Sequence, residues 1–163
     1  MCAVGDKIIY GEHGVCTIIA IAPMDPSDPS SGVLYYHLSP LFGSGTYFSP
    51  VDSPAFMRPV MSREEAEHFI DRIPSIAPAI CEDNRFNHVD AFYREIFKQH
   101  ETDGLVSIIK GLTIRTSGKK NRSSRADLAL KRAKQILYGE LSIALGIEYE
   151  QVEAYVKERT GEA

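Results

Sequence analysis

A chain of 163 residues with 44% apolar and 25% charged side chains can build both a core and a solvated surface, which excludes disorder as the default. No apolar run approaches the roughly 20 residues needed to cross a bilayer, and the amino end, Met1 to Asp6, lacks the basic flank and apolar stretch of an export signal. Cys2, Cys16 and Cys81 are odd in number and widely spaced, so neither a disulfide framework nor a thiolate zinc site is expected and a reducing cytoplasm fits.

The first third of the chain has the grammar of short strands. Lys7–Tyr10 is β-branched and aromatic, and Gly11-Glu12-His13-Gly14 supplies a turn. Val15–Ala22 is an almost continuous apolar run, which predicts a strand buried on both faces. Pro23 to Gly32 is rich in proline, serine and aspartate and reads as a surface loop. Val33–Ser39 alternates, with Leu34, Tyr36 and Leu38 on one face and Tyr35, His37 and Ser39 on the other. Phe42-Gly43-Ser44-Gly45 then turns the chain into Thr46–Ser49. Several strands in so short a span predict a small closed barrel, because closure removes exposed edges.

After Pro59 the period becomes helical. Ser62-Arg63-Glu64-Glu65 has capping-box form, and Ala66, Phe69, Ile70 and Ile73 follow at i, i+3, i+4 and i+7 until Pro74 stops the run. Pro74 to Asn84 is a connector. Asn87 is a candidate cap for a helix striped by Val89, Phe92, Tyr93, Ile96 and Phe97. Thr102 or Asp103 would cap the next, striped by Leu105, Ile108, Ile109 and Leu112. A polar, basic loop from Thr116 to Ser123 precedes the longest helix, striped by Leu130, Ala133, Leu137, Leu141 and Ala144. Gly146 ends it, and a last helix spans Glu148 to Arg159. The expectation is an α+β chain, with a β domain over residues 1–58 and an all-helical domain over 59–163.

Charge is segregated. The net charge is −4, yet Lys110, Arg115, Lys119, Lys120, Arg122, Arg125, Lys131, Arg132 and Lys134 face only one acid, Asp127, across residues 110–134. That segment carries +8, which would attract a polyanion even to an acidic protein. Enzyme chemistry finds no constellation. His13, His37, His68, His88 and His100 form no H-E-x-x-H pattern, and Gly118-Lys119-Lys120 has Thr113 where a phosphate-cradling loop needs glycine. No nucleophile–base pair can be assembled either. No catalytic residue, metal, cofactor, membrane contact or small-molecule substrate is expected.

The run Gly5-Asp6-Lys7-Ile8-Ile9-Tyr10-Gly11-Glu12-His13-Gly14-Val15-Cys16 resembles the opening of the bacterial CarD family of transcription factors. It departs by Gly11 where proline is usual and Cys16 where glycine is usual. Ala133-Lys134-Gln135-Ile136-Leu137-Tyr138-Gly139-Glu140-Leu141 is similar to the family's long C-terminal helix. The resemblance implies a Tudor/SH3-like β barrel that pairs edge-on with the RNA polymerase β subunit, followed by a helical domain. The helical domain would lie on promoter DNA at the upstream edge of the melted region and tune open-complex stability.

Candidates for the polymerase face are Tyr35, His37, Tyr47 and Phe48, on the strands flanking the Gly43–Gly45 turn. The family inserts a tryptophan wedge into the minor groove, and this chain has no tryptophan. Matching the helical stripes sets Phe86 at that position, with Arg85 beside it. As a hydrophobic staple, one residue before an Asn87 cap, Phe86 would instead belong to the core. The DNA candidates are Arg85, Phe86, Arg115, Lys119, Lys120, Arg122 and Arg125. The alternative is a protein-interaction module whose basic patch meets an acidic protein. A helix-turn-helix over Leu141–Val156 is set aside for base reading, because Glu148, Glu150, Glu153 and Glu158 would face phosphates.

Overall fold

The computed structural model describes residues 2–28, 32–52, 56–83, 85–117 and 124–162, with the backbone alone at Phe86. It divides into two compact units, Met1–Val60 and Met61–Ala163. The chain is α+β in the expected order, with a β-rich unit first and a helical unit second.

The first unit is one antiparallel sheet of five strands in the order β4-β3-β2-β1-β5: β1 Lys7–Tyr10, β2 Val15–Ala22, β3 Tyr35–Pro40, β4 Tyr47–Pro50 and β5 Met57–Pro59. A 3-10 turn at Gly11–His13 joins β1 to β2, and it closes through Gly14 at φ 71°, a backbone state glycine adopts without steric cost. Ile8, Cys16, Ile18, Tyr36 and Leu38 form the core, and Tyr47 of β4 and Met57 of β5 both pack against it. The two edge strands therefore curl over one cluster. Cys16 is fully buried and behaves as a small hydrophobe, with burial pushing its thiol up to about 11.

Two strand expectations need correction. β2 is covered on both faces only in its first half. A register shift between Ile18 and Ala20 leaves Ile19 half exposed, because a bulge inserts one residue that has no partner across the pair. Leu34, expected inside with Tyr36 and Leu38, precedes β3 and is exposed. Apolar alternation does not itself mark where strand pairing begins.

The second unit contains α1 Arg63–Arg72, α2 Phe86–Lys98, α3 Thr102–Thr116, α4 Ser124–Leu145 and α5 Tyr149–Thr160. The α1 capping box is made in both directions: Glu65 N–H donates to Ser62 Oγ at 3.1 Å and Ser62 N–H to Glu65 Oε2 at 2.8 Å. The helical stripes meet in one core that includes Phe69, Ile70, Tyr93, Ile108, Leu112, Leu137, Leu141 and Val152. Each large aliphatic side chain buried there contributes about 1.5–3 kcal/mol. Glu140 is also fully buried, and its carboxylate accepts the Met61 amide at 3.0 Å, tying the entry to α1 onto α4.

Two caps differ from expectation. Asn87 lies inside α2, whose N-cap is Arg85 with no side-chain cap bond, and Thr102 and Asp103 lie inside α3, whose N-cap is Glu101. At α2 the reason is visible. The Asp83 carboxylate accepts the Arg85 amide at 2.8 Å, so the turn is closed from before the helix.

Candidate functional site

In the β unit, register sorts the aromatic candidates. His37 pairs with Phe48 and Tyr35 with Pro50, whereas Leu38 pairs with Tyr47. Directly opposed residues share a face, so Tyr35, His37 and Phe48 lie on the outer face and Tyr47 on the core face. His37 meets Phe48 edge to face at 4.8 Å between ring centroids. Its Nε2 lies 3.3 Å from the Ala22 carbonyl and 3.2 Å from that of Pro23, so Nε2 carries the proton. Tyr47 instead stacks on His13 at 4.0 Å, and His13 on Tyr10 at 5.4 Å. The His13-Gly14 turn and β4 are joined through this stack. β4 is a terminal strand of the sheet, with backbone groups on one side that no further strand of the sheet pairs. At four residues and ending in Pro50, it is short, as protected edges are.

In the helical unit, the connector between α1 and α2 is laid across α3 and fastened there. Ala79 N–H donates to Ser107 O at 2.9 Å, Tyr93 Oη–H to Ala79 O at 3.1 Å, and Arg115 Nη1 to Cys81 O at 3.1 Å. The approach is so close that a Cβ on Gly111 would lie 1.9 Å from the Ala79 carbonyl oxygen. The connector thus delivers Asp83 to the start of α2. There its carboxylate takes the Arg85 guanidinium at 2.8 Å and His88 Nδ1 at 2.7 Å. The Arg85 side chain first, then its amide, with His88 adding to both, hold the Asp83 carboxyl well below the usual carboxylate range.

One helical turn on, Asp90 is bound by Arg94, and Arg125 of α4 approaches it to 3.8 Å. Arg132, also of α4, lies over the Phe97 ring at 5.5 Å. Arg85, Phe86 and Arg125 are therefore gathered along α2, and Arg115 is anchored under the connector that leads to it. Lys119, Lys120 and Arg122 lie outside the described residues, as does the side chain of Phe86. The backbone of Phe86 is the first residue of α2. A staple requires the residue before the cap, so Phe86 does not occupy that position.

The structure also separates basic residues that charge counting treats alike. Lys110 donates to the Ile73 and Ile76 carbonyls at 2.7 and 2.9 Å, and Lys134 pairs with Glu153 at 3.1 Å. With Arg115 bound to Cys81, Arg125 near Asp90 and Arg132 over Phe97, five of the six described cations in residues 110–134 have internal partners. Arg94 joins the α2 surface although sequence reasoning does not single it out. Its signal was the i, i+4 spacing from Asp90. On α5, Lys157 pairs with Glu153 and Arg159 with Asp71 and Glu67, which leaves the helix more acidic still. Among the described residues, no group of three or more His, Cys, Asp or Glu side chains could hold a metal ion, and no helix is long and apolar enough to cross a membrane.

No curated protein matches the chain. Residues 3–61, which carry the Gly5–Cys16 run, all five strands and the aromatic stack, match the CarD-like/TRCF RID domain. The match spans the β unit and not the helical one, so residues 3–61 are similar to a CarD-like/TRCF RID domain, a module of RNA polymerase-interacting, transcription-related proteins.

Proposed function

We propose that the protein docks on the RNA polymerase β subunit through its β unit and steadies the open promoter complex by contacting DNA with the start of α2. The observation that carries the polymerase half is the domain match over residues 3–61. The β4 edge suits addition to a strand of the partner, where main-chain bonds supply affinity and alternate side chains supply fit. Tyr35, His37 and Phe48 would form the outer wall of that contact. Residues 1–58 carry Lys7 and Arg58 against Asp6, Glu12, Asp25, Asp28 and Asp52, a net −3 that disfavours DNA there.

The DNA half rests on the convergence of Arg85, Phe86 and Arg125 on α2, with Lys119, Lys120 and Arg122 nearby in sequence. Phenylalanine is a known minor-groove wedge, and unstacking costs least where strands are already separating. The test is binding of the full chain to a β-lobe fragment and, separately, to fork DNA at rising salt. Micromolar or tighter binding to the lobe is expected, with DNA affinity falling steeply as salt rises. A folded chain that ignores the β lobe would overturn the polymerase reading.

One observation favours a second reading. Asp83 and Asp90 already hold Arg85, Arg94 and Arg125, which suits a protein-interaction module without a DNA role. DNA affinity that is negligible or flat with salt would select it.

A further inference from the structure

Within the helical unit, a groove of about 490 Å³ opens between α3, α4 and α5, away from the start of α2. Its walls are mostly apolar, from Val106, Ile109, Leu137, Tyr138 and Val156. Ile114, which also lines it, is 57% exposed. Size and lining fall in the range of small-molecule sites, which combine an apolar body with few fixed polar groups.

The polar group here is the Lys110 ammonium. Its side chain is only 20% exposed. Of its three donors, two go to the carbonyls of Ile73 and Ile76 at 2.7 and 2.9 Å, on the turn that follows α1. These bonds fix the charge in place. The third partner is the Glu162 carboxylate at 3.3 Å, on the tail just past the Gly161 cap of α5. That distance exceeds the 2.7–2.9 Å of a well-made charge-assisted bond, and the Glu162 side chain is 40% exposed. Lys134 and Lys157 share the single carboxylate of Glu153 on the same lining. Among the described residues, three ammonium groups thus line the groove against two carboxylates.

We propose that this groove binds a small monocarboxylate with an apolar body. Its carboxylate replaces that of Glu162 on Lys110, and its body lies along Ile109, Leu137 and Val156. Glu162 is then a built-in competitor, held loosely on a cation that is itself held firmly. The inference does not depend on the polymerase reading, and it names a ligand class that no sequence motif announces. The Lys110 partners lie 37 and 34 residues away in the chain.

Dodecanoate, titrated calorimetrically into the full chain below its micelle-forming concentration, is the probe, with dodecanol and dodecylammonium as matched controls. One saturable site is expected for dodecanoate, at least about tenfold tighter than for either control. Glu162→Gln should tighten dodecanoate about two- to fivefold, the range set by displacing an exposed ion pair. Thr113→Trp, at an exposed lining position, should abolish binding with the melting temperature unchanged. Lys110→Met should erase the preference for the carboxylate over the alcohol. Because Lys110 also ties down the turn, the Glu162 and Thr113 variants decide the matter if that protein does not fold. No saturable binding, equal affinity for all three compounds, or indifference to Thr113→Trp would overturn the proposal.

Discussion

Replacing Gly111 by alanine sets two effects against each other. In an open helix, Gly→Ala gains about 1 kcal/mol of propensity. At Gly111 the new Cβ would lie 1.9 Å from the Ala79 carbonyl oxygen and 2.7 Å from its carbon. Carbon–oxygen contacts normally settle near 3.3 Å or beyond, so the connector must move by more than about 1 Å. It is fastened by Ala79 to Ser107, Tyr93 to Ala79 and Arg115 to Cys81, and that displacement breaks or stretches all three bonds. At about 1 kcal/mol each the loss is about 3 kcal/mol. Set against the propensity gain, the net cost is about 2 kcal/mol. For a unit of about a hundred residues this lowers the melting temperature by about 8–16 °C.

Thermal unfolding followed by the helical circular dichroism signal measures it. Gly104→Ala is the control on the same helix, since its nearest neighbour is the Ile96 Cγ2 methyl at 3.0 Å, which need give by only a few tenths of an ångström. It should be near neutral. In the Gly111→Ala background, Tyr93→Phe should cost less than in the native chain, because its bond is already lost. A Gly111→Ala protein as stable as the native one, or more so, would refute the close crossing of connector and α3.

Glu140→Ala should cost about 1–3 kcal/mol in urea unfolding, because the Met61 amide loses its acceptor. Phe86→Ala should shorten the lifetime of polymerase–promoter complexes while moving the melting temperature by no more than a degree or two. A large stability loss with an unaltered lifetime would return Phe86 to the core. Asp83 gives a pH prediction: its carboxyl is held low in the folded state, so its contribution is complete above the unfolded value of about 3.9 and is lost as pH falls toward the lowered folded value. Hydrogen exchange at the Arg85 amide should therefore accelerate below pH 4, measured against the Ala79 amide, whose acceptor is the non-titrating Ser107 carbonyl, as an internal reference. Asp83→Asn should remove that step.

Local pattern decided much of this protein. A period of two up to Ser49, a period near 3.6 after Ser62, and turn residues such as Gly14 and Gly146 were enough to read an α+β chain of strands followed by helices. The capping box at Ser62 and Glu65 was legible for the same reason, since both of its bonds span three residues. Neighbouring residues suffice wherever the decisive contact lies within one turn or one strand.

What only the tertiary structure decided depends on partners far along the chain. Asn87 looked like a cap until Asp83, delivered by a connector fastened to α3, closed the turn first. Tyr47 and Phe48 are adjacent in sequence, yet the β3–β4 register sends one ring into the core stack with His13 and the other to the outer face. The basic segment shows the same limit. Counting gives it +8, but the carbonyls of Ile73, Ile76 and Cys81 take up Lys110 and Arg115 across 34 to 37 residues of chain. Charge is a property of composition. Whether a cation faces solvent or closes a turn is set by which backbone groups folding leaves beside it.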